Sequence, residues 1–250
     1  MRACGTVWVL VLSLVQAPLA VAQDSTSAQP PAQSGIRVTV LPDTLQVVAR
    51  RDSFRVVIQG SEVGSQVVEL ALRGDSLVLQ ERTLIPFLAM TQETRVVMDA
   101  RSLAPWSVAQ SGHVGTQEAE TQVVVRDGWA RGHARTPQPG GEPRVTTVDT
   151  VFPAGAIDVN QVRMVVPFLP LVEGTDLVLD VFNAADASLR PYIVRVEPDT
   201  AAEPDTTFGE VYRVLVLGGE PTRLTVRRAW PRQVVRVQSV GQPIRFELVR

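Results

Sequence analysis

Two histidines and two glutamates are the residues of this chain most suited to binding a metal ion. His113 and His133 are its only histidines, and Glu118 and Glu120 lie between them. Two imidazoles and a carboxylate can form a zinc site. The spacing matches no zinc motif, however, and each histidine follows a glycine in a loop-like stretch. The sequence therefore predicts two surface histidines in loops and no metal ligand.

Nucleophile and nucleotide motifs are incomplete. Ser111 and His113 lie close together in the sequence, but no G-x-S-x-G elbow surrounds the serine. Asp149-Thr150 lacks the glycine of an aspartic-protease turn, and no second copy occurs. Gly60 and Gly64 lack the third glycine of a nucleotide loop and are interpreted as turn residues. We therefore expect no catalytic residue, no cofactor and no enzyme.

A short acidic duplication is the remaining candidate for ion binding. Glu197-Pro198-Asp199-Thr200 and Glu203-Pro204-Asp205-Thr206 bring four carboxylates together. Calcium loops also need a glycine and a D-x-D spacing, which are missing here. The duplication is more typical of a solvated hairpin tip.

The first 22 residues have the features of a secretory signal. Arg2 precedes a short apolar run that ends in Ala20-Val21-Ala22, an A-x-A cleavage pattern. The single cysteine, Cys4, lies within this segment, so cleavage leaves neither a disulfide nor a cysteine for acylation. We expect an exported protein, periplasmic or extracellular, that is soluble after cleavage. The predicted division is signal 1–22, flexible linker 23–35 and one antiparallel β domain 36–250.

Charge is balanced overall but not locally. All 24 basic residues are arginines, which excludes catalysis by lysine. The negative formal total and the exported compartment argue against nucleic acid as a partner. Residues 221–250 are rich in arginine and contain one acid, Glu247. This basic end could contact an anionic envelope surface, or the arginines could lie on a solvated strand face beside the acidic strands before them. The residues concerned are Arg223, Arg227, Arg228, Arg232 and Arg236.

Alternating apolar and polar residues predict strands along most of the chain. Phe54, Val56 and Ile58 alternate with polar residues, as do many later stretches. Turn signals such as Gly74-Asp75 and Asp127-Gly128 separate the strands and favour hairpins. The predicted fold is all-β with one short helix, in which a strongly curved antiparallel sheet or half-barrel encloses a helical segment.

That helix is predicted at residues 154–169, with Asp158 as N-cap. Val162 and Val166 are predicted on its inner face and Arg163 off that face. Several strands are apolar on both faces, so one short helix covers too little and a sheet-lined cavity is expected. The candidate cavity residues are Val162, Val166, Phe168, Leu169, Trp106 and Trp129.

A set of spaced motifs resembles a known family. These are Gly60-x-x-x-Gly64, Leu103-Ala104-Pro105, Ile157-Asp158 leading to Leu169-Pro170-Leu171-x-x-Gly174, and the end Phe246-Glu247-Leu248-Val249. They resemble a family of bacterial exported envelope proteins, described as a domain of unknown function. That family is similar to the half-barrel of the periplasmic lipoprotein carriers and receptors. The resemblance implies a curved sheet around a helical lid and an acyl-chain cavity.

Two functions remain open from the sequence. The first is binding of an apolar or amphipathic ligand, such as a lipid, a lipoprotein acyl chain or a glycolipid, in that cavity. The alternative is a non-catalytic structural or scaffolding envelope protein that docks a protein partner through an exposed strand edge or its basic end. A pocket of several hundred cubic ångströms would favour the first, and a core filled by its own side chains the second. The oligomeric state is not predicted.

Overall fold

One large sheet that curls into an open, barrel-like shell forms the body of the protein. The computed structural model describes residues 35–38, 47–138, 140–198 and 207–249. Its sixteen strands belong to a single sheet. They are β1 (Ile36–Arg37), β2 (Arg50–Ile58), β3 (Ser61–Arg73), β4 (Ser76–Ile85), β5 (Met90–Asp99), β6 (Pro105–Val114), β7 (Gln117–Arg126), β8 (Trp129–Thr136), β9 (Arg144–Val151), β10 (Ile157–Asp158), β11 (Asp176–Asn183), β12 (Ser188–Glu197), β13 (Val211–Leu217), β14 (Thr222–Arg227), β15 (Val234–Ser239) and β16 (Ile244–Leu248).

The sheet consists of two antiparallel meanders. Strands β2 to β9 pair in chain order, and β11 to β16 do the same. The meanders join where β16 pairs with β2, with Glu247 opposite Arg55. One end of the sheet is β9, and the other is β11, to which β1 and β10 add in parallel. The first and last long strands therefore lie side by side in the middle of the sheet.

Tight hairpins connect neighbouring strands, as the sequence predicts. Asp127 and Gly128 have φ angles of 53° and 76°, which is the type I′ geometry that suits twisted hairpins. Gln59 and Gly60, with φ angles of 50° and 86°, connect β2 to β3 in the same way.

Two glycines within strands lie very close to the backbone of a neighbouring strand. A Cβ at Gly132 in β8 would lie 1.8 Å from the carbonyl oxygen of Gln122, and a Cβ at Gly64 in β3 would lie 2.2 Å from that of Leu84. Only glycine permits such close approach of neighbouring backbones at a bend. Gly64 is therefore a strand residue, which corrects the interpretation of it as part of a turn.

The chain between β9 and β11 crosses the concave side of the sheet. It contains β10 and a helical segment at residues 159–168, in which α1 (Val162–Val165) lies between the 3-10 turns Val159–Gln161 and Val166–Phe168. Another 3-10 turn, Pro86–Leu88, connects β4 to β5. The helical segment is shorter than the predicted 154–169 because Ile157 and Asp158 pair with β11 as strand β10, and only one of its turns is α-helical. Its side chains and the concave face form one hydrophobic core.

The two ends of the sheet approach each other without pairing. The Thr146 hydroxyl of β9 donates to the carbonyl oxygen of Ala185, in the β11–β12 turn, at 2.8 Å. Nearby, the rings of Phe152 and Phe182 pack edge to face with centroids 5.5 Å apart. The predicted all-β curved sheet around a helical segment is confirmed. The predicted signal, nearly all of the linker and most of the acidic duplication lie outside the described residues.

Candidate functional site

The helical segment is fixed at its start by a buried capping box. Asp158 accepts hydrogen bonds through Oδ1 from the backbone N–H of Asn160 at 2.9 Å and from the Asn160 side chain at 2.7 Å. Gln161 Oε1 in turn accepts from the backbone N–H of Asp158, and its amide donates to the carbonyl oxygen of Leu103. This confirms Asp158 as the N-cap and ties the segment to the β5–β6 turn.

The carboxyl group of Asp158 is buried in surroundings that disfavour its charged form. Burial raises the pKa of its carboxyl to about 6, although the hydrogen bonds from Asn160 act in the opposite direction. Its second oxygen, Oδ2, is buried without a hydrogen-bond partner. The carboxylate form is therefore costly at this position.

Arg163 links the helical segment to the concave face of the sheet. It donates to Gln66 Oε1 at 3.1 Å and forms a close ion pair with Glu81. Gln66 also donates to Glu81 at 2.8 Å and to the Thr83 hydroxyl at 2.9 Å. The guanidinium carbon lies 5.8 Å from the centre of the Phe246 ring. Arg163 therefore points inward, contrary to the prediction from the sequence.

Two small cavities flank Arg163. One, of about 40 Å³, has apolar walls and a rim of two ion pairs, Arg163–Glu81 and Arg50–Asp52. The other, of about 120 Å³, lies between the helical segment and β12 to β14, against Tyr192. Ligand sites for drug-sized molecules occupy roughly 300–1,000 Å³, so neither cavity can hold one in this arrangement.

The predicted cavity residues divide into three groups. Val162 lines the 120 Å³ cavity. Val166, Phe168 and Leu169 are buried in the core and line neither interior cavity. Trp106 and Trp129 lie on the outer face, 42% and 41% exposed.

The five arginines predicted to form a basic end each contact another residue of the described chain. The polar contacts are with Glu197 for Arg223, Gln233 for Arg227, Glu173 for Arg228, the Leu169 carbonyl for Arg232 and Glu247 for Arg236. Burial alone would raise the pKa of Glu247, but hydrogen bonds from Arg55 and the charges of Arg245 and Arg236 lower it overall. An outer hollow of about 520 Å³ is lined by Arg213 and Arg223 together with Glu197 and Pro198.

The two histidines lie in strands, not in loops as predicted. His113 in β6 hydrogen-bonds the Thr91 hydroxyl at 2.9 Å, and His133 in β8 lies 3.8 Å from Glu120. Their pairing partners on β7 are Glu118 and Gln122, so the two histidines are offset by about 13 Å along the strand direction and lie on opposite sides of β7. Within the described ranges, no group of three or more His, Cys, Asp or Glu side chains could hold a metal ion.

Strand β9 presents an open backbone edge. Just past its end, the Phe152 N–H donates to the Gly128 carbonyl. Because hydrogen-bonded pairs alternate in an antiparallel ladder, the β9 residues bonded to β8 are those with even numbers. The backbone groups of Val145, Thr147, Asp149 and Val151 therefore point away from β8, and in the part of the chain described here no strand pairs with them.

Exposed apolar side chains accompany this edge on the outer face. Val145 and Val151 are 66% and 57% exposed. Val151 pairs with Trp129, and Val124 lies diagonally beyond it on β7. The contact from Ala185 comes from the concave side, because Thr146 shares that face with the buried Val148. We call β9 with these outer neighbours the β9 edge.

Comparison with known proteins supports the fold. No family model matches the sequence. No curated protein matches it. The shell has a β-barrel-like architecture. A similar solved structure is the crystal structure of a β-barrel-like protein of the domain of unknown function DUF1849 from Brucella abortus, with a TM-score of 0.52 and 14% sequence identity over 82% of this chain and 97% of that chain. Among the described residues, no helix is long and apolar enough to cross a membrane.

Proposed function

We propose that this chain is an exported, non-catalytic envelope protein that docks a protein partner at the β9 edge by strand addition. The observation that carries the proposal is the row of outward backbone groups at Val145, Thr147, Asp149 and Val151. An unpaired strand edge is a template for another strand, and proteins that do not use such an edge block it with charged side chains, proline, a bulge or a covering element. Here no proline lies within β9.

The apolar side chains support the same function. Val145, Val151, Val124 and Trp129 expose apolar surface around one edge of the sheet. Main-chain hydrogen bonds would supply affinity at this edge, while pockets between these side chains would supply selectivity. The interior supports it too, since cavities of about 40 and 120 Å³ leave little room for a small ligand.

Photo-crosslinking in the native host tests this function. A photoreactive amino acid replaces Val145, and in a second strain it replaces Val172, which is 58% exposed but lies far along the chain from β9. We expect a discrete cross-linked product from position 145 alone, lost when Thr147→Pro is added. Proline removes the outward N–H of residue 147, which β8 does not use. Equal labelling from both positions, or none from position 145, would overturn the proposal.

Binding of an amphipathic ligand under the helical segment is a second candidate, favoured by one observation. The apolar wall at Leu70 and Leu79 ends in the charged rim of Arg163 and Glu81, a lining that matches a chain with a polar head. Entry of an acyl chain requires the helical segment to move aside. Two of its three turns are 3-10 turns, whose hydrogen bonds are weaker than those of an α-helix, although the movement must also break the contact of Arg163 with Glu81.

Oleate is a suitable probe for this second function. If oleate binds the folded protein, the melting temperature rises. At ~100 times the dissociation constant, binding adds about 2.7 kcal/mol to the free energy of unfolding. Met164→Asp, in the wall of the same cavity, should abolish the increase, and the control Val172→Asp should retain it. No change for the unmodified chain would exclude the ligand function.

A further inference from the structure

We propose that the partner at the β9 edge is a second copy of this chain, paired antiparallel to the first and centred on Val148. This inference rests on the proposed function and names its partner. Three observations support it. The N–H and C=O groups of alternate β9 residues point away from β8, they pair with the same groups of a second copy across a two-fold axis, and this pairing keeps the two Asp149 carboxylates apart.

Self-pairing of β9 has one register that uses every outward group. In a two-fold antiparallel pair centred on Val148, Val145 lies opposite Val151 of the second copy, and Thr147 lies opposite Asp149. All four are residues whose N–H and C=O point away from β8, so each faces a residue that can bond it. Moving the centre by one residue in either direction leaves outward groups at the ends of β9 unmatched.

The same register brings together the apolar side chains of the outer face. Val145 of one copy lies beside Val151 of the other, which adjoins Trp129 and, diagonally, Val124 of its own chain. The contact occurs twice because the pair is symmetric. Side chains that are 66% and 57% exposed in the single chain thus become mutual neighbours.

Charge selects against the neighbouring register centred on Asp149. That arrangement would set the two Asp149 carboxylates directly opposite each other, which is unfavourable on a shared face. In the register centred on Val148, each Asp149 instead faces Thr147 and keeps its own ion pair with Arg131, 3.3 Å away. The β9 sequence is therefore self-complementary in one register.

Sedimentation equilibrium of the purified full chain tests the inference. We expect a dimer at micromolar concentration. Thr147→Pro and Val145→Lys should each raise its dissociation constant about tenfold or more, whereas the exposed control Val172→Lys should not. Circular dichroism and melting temperature of each variant report whether the fold is intact. A monomeric chain, or a dimer indifferent to both β9 variants, would overturn the inference.

A charge-exchange pair tests the register itself. Val145→Lys and Val151→Glu in the same chain place opposite charges across the two-fold axis twice, but only in the register centred on Val148. Dimerisation should then return to within a few-fold of the original. If both single variants dissociate and the double variant does not recover, the register is wrong. A monomeric chain whose position 145 still cross-links to a different protein would overturn the second-copy inference and leave the docking function intact.

Discussion

Thr146 and Ala185 are joined by a hydrogen bond of 2.8 Å between strand β9 and the turn that follows β11. These residues belong to opposite ends of the sheet, so the bond holds the shell in its curled shape without adding β9 to another ladder. The turn occupies the concave side and leaves the outer side of β9 to solvent. Curling and an open edge therefore coexist in this fold.

Replacing Asp158 with asparagine should alter the pH dependence of stability. The pKa of the folded carboxyl is raised from 3.8 to about 6, so its contribution to stability is fully present below pH 3.8 and is lost as pH rises through about 6. Asp158→Asn keeps the acceptor that caps the helical segment but never ionises. We expect the free energy of unfolding of this variant to exceed that of the unmodified chain by about 1–3 kcal/mol above pH 7. Its stability should also lack the decrease between about pH 4 and pH 6 that ionisation of Asp158 causes in the unmodified chain.

Urea unfolding at pH 5 and pH 8 measures this effect. The control is Asp127→Asn, in the exposed β7–β8 turn, where the side chain is 87% exposed. If the stability of Asp158→Asn depends on pH as that of the unmodified chain does, the raised pKa does not belong to this carboxyl.

Removing Arg163 alone should destabilise the fold more than removing the charges of both Arg163 and its ion-pair partner Glu81. Arg163→Met leaves the Glu81 carboxylate with the hydrogen bond from Gln66 but without its ion pair. The free energy of unfolding should fall by about 1–3 kcal/mol, because Arg163 and Glu81 are both partly exposed to water. Arg163→Met with Glu81→Gln removes both charges and should recover at least half of that loss. A double-mutant cycle from chemical denaturation measures the coupling. Additive losses would mean that the two side chains act independently.

Gly132 should not tolerate a side chain. Gly132→Ala would bring its Cβ against the carbonyl oxygen of Gln122, and residue 132 has a φ angle of 152° that L-residues rarely adopt. We expect a loss of about 3 kcal/mol in the free energy of unfolding. Gly141→Ala, whose nearest neighbour is 3.9 Å away, is the matched control. Equal stability of the two variants would show that the β7–β8 bend can relax.

The export predicted from residues 1–22 can be tested chemically. If Ala20-Val21-Ala22 is the cleavage pattern, Edman sequencing of the protein from the envelope fraction should begin at Gln23. Ala22→Leu should slow or block processing, because the cleavage site requires a small residue there. An intact Met1 in the exported fraction would contradict this route.

Local features of the sequence predict most of the sheet, because alternation and hairpin turns act over a few residues. The inward direction of the Arg163 side chain, by contrast, depends on contacts with distant strands. Gln66, Glu81 and Thr83 occur in phase with the apolar residues of β3 and β4, which is the signal that the concave face contains polar partners. A charged residue on the helical segment could therefore point inward, and periodicity of the segment alone assigns it to the wrong side.

The β9 edge could not be located from the sequence for a topological reason. Which strand is left at the end of the sheet depends on the pairing of β16 with β2, a contact between distant parts of the chain. The sequence places Trp129 at a cavity because tryptophan prefers a partly buried position with a polar partner. In β8 the residues of the concave face are the small Ala130 and Ala134, so the large ring lies outside.

The pairing of β16 with β2 also governs when the molecule can fold. Arg55 and Glu247, bonded across these strands, are 192 positions apart in the chain, so the central seam of the sheet has a very high contact order. The two halves cannot combine before the C-terminal strand has been made. The complete sheet is therefore expected to form more slowly than either meander, because its last pairing joins the two most distant long strands.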